Sequence, residues 1–226
     1  MTVTTTLLRI FRPIVLWFVA IILAVEVIAV VAISSVGPMK FSFWLLIASA
    51  AAKYWPLVAG VLLVSMYFKV FVANGVTRHE FLRGLALVGV AMTFVFPAAV
   101  VIGHAAESIT LGLLDLRASG YPAFRFGEAA GEFAHLVPAT AAYVTSGVLL
   151  TAVFYRFRPW LGVLLILPGA APLLLTGWLL NLDEFGALFS RYSFTLALTV
   201  SLGATLAGCL AIHRIMRDVA IRRTAG

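Results

Sequence analysis

The sequence predicts an all-α membrane protein, a single transmembrane domain over 1–226 built from six membrane-crossing helices. Three observations carry this. The chain is 63% hydrophobic and 11% charged, whereas an average soluble domain is about 25% charged. Six apolar runs approach the roughly 20 residues that a spanning helix needs; they lie near 14–35, 48–68, 84–104, 136–155, 160–180 and 193–212. The segments between them also sort basic residues by side.

With both termini cytoplasmic, the inner segments hold Arg9, Arg12, Lys69, Arg78, Arg83, Arg156, Arg158, Arg214, Arg217, Arg222 and Arg223. The outer segments hold Lys40, Lys53, Arg117, Arg125 and Arg191. This asymmetry follows the positive-inside rule and accounts for the net charge of +7. It reports topology and contact with the lipid bilayer; no stacking platform or recognition helix points to nucleic acid. Most acidic residues fall outside, at Glu107, Asp115, Glu128, Glu132, Asp183 and Glu184. The single Cys209 excludes a disulfide within the chain. The first apolar run lacks a small-residue cleavage pattern, so it reads as a span and not as a removed signal peptide.

Residues 4–12 alternate Leu7, Leu8, Ile10 and Phe11 with Arg9 and Arg12 before Pro13. That pattern predicts a brief amphipathic helix at the inner interface, with Pro13 in the first turn of the span. Glu26 sits mid-span, where a carboxyl faces other helices or a polar cavity. It reads either as a point on a transport path or gate, or as a packing contact with hydroxyls such as Ser34, Ser35 or Ser65. In the second span, Tyr54 and Trp55 suit an outer aromatic belt if the helix starts near Ala48. The apolar run 41–53 offers the alternative of a longer helix reaching toward Phe41.

The stretch from Lys69 to Gly84 joins the second and third spans. Asn74-Gly75 is a turn signal, and Thr77 with Glu80 three residues later has the spacing of a capping box. A short helix over 74–83 is expected, either as a docking element or as an ordinary basic turn. Pro97 suggests a bend in the third span. Between the third and fourth spans, 105–135 reads as an outer amphipathic segment broken at Ser119-Gly120-Tyr121-Pro122. Its ends bring together His104 and Glu107, Glu132 and His135, with Glu128 one turn before Glu132. Meeting on facing helices, these residues have the donors of a zinc or iron site. The alternatives are an acidic patch contacting substrate or partner, and an ordinary surface patch. The fifth span, with Pro168 and Pro172 among its glycines, is the one expected to bend. A short outer element over 181–192 precedes the sixth span, and a basic tail follows it.

The stretch Asn74 to Phe81 resembles the first cytoplasmic loop of ABC-2-type permeases, the membrane subunits of ATP-driven exporters. In that family a small residue precedes a Ser/Thr-Arg pair and a hydrophobic position; Gly75, Thr77-Arg78 and Phe81 occupy those places here. The layout is similar over nearly the whole chain, in the type V exporter-like form. The resemblance implies that 74–83 is a coupling helix seated in a separate ATPase subunit and that 4–12 is a connecting helix. Gly75, Thr77, Arg78, Glu80, Phe81 and Arg83 are then the docking residues, and Glu26 a polar point in the membrane path. It further implies a second membrane half, identical or different, in a bacterial cytoplasmic membrane. ATP and Mg2+ would be held by the partner, since this chain has no GxxxxGK[ST] loop and no catalytic chemistry of its own is expected. The expected function is export of an amphipathic or hydrophobic substrate. The competing classes are a membrane-embedded metal enzyme built on the His/Glu cluster and a structural or regulatory membrane subunit.

Overall fold

The computed structural model describes residues 3–34, 37–180 and 193–217. Six helices long and apolar enough to cross a membrane form one bundle: α1 (Val3–Ser34), α2 (Phe43–Ala73), α3 (Arg78–Leu113), α4 (Phe126–Arg156), α5 (Pro159–Leu180) and α6 (Phe194–Arg217). Several boundaries differ from the sequence reading, each for a visible reason. The 4–12 segment is continuous with the first span, because Leu7 and Phe11 are buried and Phe11 meets the Tyr67 ring edge-on. It is not a separate interfacial helix.

The second span starts at Phe43, five residues earlier than Ala48, with Ser42 capping it by accepting the Leu45 N–H. That places Tyr54 and Trp55 about three turns inside the helix, not at its mouth. There Trp55 stacks on Phe18 at 4.5 Å and Tyr54 meets Tyr143 edge-on. The outer segment 105–135 also contracts. Its first part continues α3 and its last part begins α4, which leaves 114–125 as the connection. The expected break at Ser119–Pro122 falls inside that loop. The 181–192 element and most of the basic tail lie outside the described residues.

Helix α4 is the centre of the bundle. It buries 78% of its apolar stretch, against 6% for α1. Small residues let its neighbours approach closely. A Cβ on Gly147 would lie 2.1 Å from the Leu57 carbonyl oxygen, and one on Gly60 would lie 2.6 Å from the Val144 carbonyl oxygen. The Thr140 hydroxyl donates to the Ala52 carbonyl at 2.9 Å in the same α2–α4 seam. On the other side, the Ser146 hydroxyl accepts the Leu173 N–H at 3.2 Å. The fifth span does break as its prolines suggest: its helix is interrupted at Leu165, one residue beyond the carbonyl that the Pro168 ring crowds.

Helix α1 is the peripheral one. Trp17, Ile21, Val27, Ile28 and Val31 are exposed, as lipid-facing residues are. Val3 packs on Gly84, and the Arg78 guanidinium donates to the Arg217 carbonyl at 3.3 Å. Residues 3 and 217 therefore lie at the same end of the bundle, called here the terminal end. The opposite, distal end carries Ser42 and the 114–125 loop.

Candidate functional site

The connection at the terminal end has the predicted local chemistry on a different element. Gly75 takes the left-handed conformation (φ +84°) that closes the turn. Thr77 and Glu80 form the complete capping box: the Thr77 hydroxyl accepts the Glu80 N–H at 3.2 Å, and the Glu80 carboxylate accepts the Thr77 N–H at 3.0 Å. The helix they cap is the 36-residue α3, not a separate 74–83 coupling helix. A continuous apolar pattern follows Phe81, and nothing after Arg83 stops the helix. Phe81 itself is wholly buried, between the rings of Phe68 and Phe71 at 5.3 and 5.8 Å. Its side chain is core, so it has no face left for a partner's cleft. Gly75, Thr77, Glu80 and Arg83 are exposed, and Arg78 is half-buried by its bond to Arg217.

Above this turn, α3, α4 and α6 leave a half-open cavity of about 460 Å³. Its walls are apolar, formed by side chains such as Leu85, Val144, Val148, Leu206 and Ile212. His79, Arg83 and His213 line it toward the terminal end; the two imidazole rings stand 6.2 Å apart. The sequence offered no sign of this cleft, because it depends on how far α3 and α6 stand apart.

At the distal end the expected His/Glu quartet does not converge. His104 and Glu132 do meet, with Nδ1 3.9 Å from the carboxylate, and His104 Nε2 lies 3.0 Å from the Pro122 carbonyl that holds the loop. His135 turns away: its Nδ1 contacts the Gly131 carbonyl at 2.8 Å and its ring packs on Phe194 at 4.4 Å. Glu128 is exposed and pairs with Arg125 at 3.4 Å. Among the described residues no three His, Cys, Asp or Glu side chains gather as metal ligands would.

Glu107 instead points to α2. Its carboxylate accepts the Ser42 hydroxyl and the Phe43 N–H, the latter at 3.1 Å. It therefore closes the N-terminus of α2, where a negative charge meets the positive end of the helix dipole. A close neighbour of Glu26 is this same Glu107. Tyr121 reaches the pair from the loop. Burial, and then the Glu107 carboxyl, raise its phenol above the ordinary range. Ser42 and Tyr121 were the missed members of this group. A serine directly before an apolar run is a capping signal, and it was legible for Ser42; Tyr121 was marked only as part of the Ser119–Pro122 break.

A bundle of six apolar spans around a buried central helix, with carboxyls held between helices, defines a multi-spanning α-helical membrane protein, and its features are consistent with a transport-related role. Comparison with protein-family models, with curated proteins and with solved structures finds no match for the chain.

Proposed function

We propose that the chain is the permease subunit of an ATP-driven exporter of the ABC-2 kind, acting with a separate ATPase and a second membrane half. In this reading it lies in a bacterial cytoplasmic membrane with its termini inside, and its cargo is amphipathic or hydrophobic. The observation that carries the proposal is the placement of the apolar cleft. Its lining reaches the end of the bundle that holds the capped Asn74–Arg83 turn, where His79 and Arg83 stand in its wall, and α3 belongs to both. A partner that pushes on the turn moves one wall of the cleft. The polar face of the turn, with Asn74, Gly75, Thr77, His79, Glu80 and Arg83, is exposed for such a partner. A rigid capped helix end is suited to passing on the push.

The test is recovery of tagged protein in gentle detergent, with identification of its partners by mass spectrometry. A Walker-type ATPase recovered with the wild type and lost with Arg83→Glu supports the reading. Folded protein recovered repeatedly without an ATPase overturns it in favour of a structural or regulatory membrane subunit.

A further inference from the structure

The distal carboxyl pair is unbalanced in charge. Glu26 and Glu107 are each only 8% exposed. Glu107 is compensated by the Ser42 hydroxyl, the Phe43 N–H and the N-terminus of α2. Glu26 has no such help: both of its carboxyl oxygens are buried without a hydrogen-bond partner. The Tyr121 hydroxyl beside the pair, on a residue also 8% exposed, is likewise buried and unpartnered.

Among the described residues no ion pair joins either carboxyl to a cation. Before α2, Lys40 precedes the cap and is exposed. On α3, His104 is engaged with Pro122 and Glu132. From the loop, the Arg117 guanidinium lies over Gly112. An ionised carboxylate is strongly disfavoured in such a place, and a second carboxylate beside it adds repulsion. One unit of positive charge removes both penalties. With Glu107 already satisfied, the uncompensated charge is single, which argues against a divalent ion.

We propose that Glu26 and Glu107 form a binding site for one exchangeable proton, carried on Glu26 and shared toward Glu107. The proton is taken from hydronium in the adjoining water and returned to it, with no other bond changed. Its loss leaves two neighbouring carboxylates to repel each other across α1 and α3. Because α1 is the least buried span, it is the element that yields. The site is independent of whether an ATPase drives the protein.

Infrared difference spectroscopy of the purified protein in lipid nanodiscs, titrated with pH, tests this. The wild type is expected to show the carbonyl band of a buried protonated carboxylic acid at neutral pH, shifting in heavy water. Glu26→Gln, which keeps the shape and removes the acid, deletes the band; Glu132→Gln leaves it. Glu26→Asp, which retains a carboxyl, moves the band without deleting it, and serves if the glutamine variant does not fold. Absence of the band at neutral pH, or its survival in Glu26→Gln, overturns the proposal. So does thermal stabilisation of the wild type by sodium chloride over choline chloride that Glu26→Gln abolishes, because the occupant would then be a metal cation.

Discussion

Glu107 accepts the backbone N–H of Phe43 at 3.1 Å, so a side chain near the distal end of α3 closes the first turn of α2. The contact spans 64 residues of sequence and ties the second span to the third. Glu107→Ala leaves the Phe43 N–H without this acceptor. We expect a loss of about 1–2 kcal/mol, the usual range for a lost helix cap, read as a lower thermal midpoint in detergent.

The α2–α4 seam depends on absent side chains. Gly147→Ala places a methyl against the Leu57 carbonyl, which belongs to backbone and cannot swing aside. A loss of about 3 kcal/mol is expected, the upper end for overpacking a tight core. Gly177→Ala is the control, since nothing lies within 4 Å of its new Cβ. It leaves the midpoint unchanged or raises it slightly, because alanine is the better helix former.

Phe81→Ala removes a ring enclosed by Phe68 and Phe71. The expected cost is about 3–5 kcal/mol, as for other buried aromatic truncations. Loss of a partner in this variant would therefore report unfolding. Arg83→Glu, on an exposed side chain, leaves the thermal midpoint within about 0.5 kcal/mol of the wild type. The pair separates folding from docking when the same samples are compared by thermal denaturation and by partner recovery.

The capping box makes its own prediction. Thr77→Ala frays the start of α3 at a cost of about 1 kcal/mol. Hydrogen exchange should accelerate at the amides of His79 to Phe81 while those deep in α3 keep their protection. Glu80→Ala gives a smaller effect, and the double change costs less than the sum, because the two side chains bond each other as well as the backbone.

The apolar runs made the six spans legible, since length and hydropathy are properties of a segment alone. Their ends were less so. The runs 105–113 and 126–135 carry polar residues that read as interfacial, yet they continue the third span and begin the fourth, with Glu107 and Ser108 finding partners in the bundle and the loop. The capping box was read correctly from Thr77 and Glu80, but the helix it starts was read as short. The charged residues Arg78, Glu80 and Arg83 hid the continuity with the apolar run. Phe81 looked like an exposed anchor in the sequence, and only the packing of Phe68 and Phe71 shows that it is core. The Glu26–Glu107 meeting joins the first span to the third, a relation that no local spacing encodes.

The most direct test of the account is photo-crosslinking in native membranes, with the crosslinker placed in turn at His79 and at Leu113. Both side chains are exposed, and they lie at opposite ends of α3. The account predicts a covalent product with a Walker-type ATPase from position 79 and none from position 113. Folded, membrane-inserted protein that yields no such product from position 79 would contradict the docking role of the turn, and with it the proposal that an ATPase drives this protein.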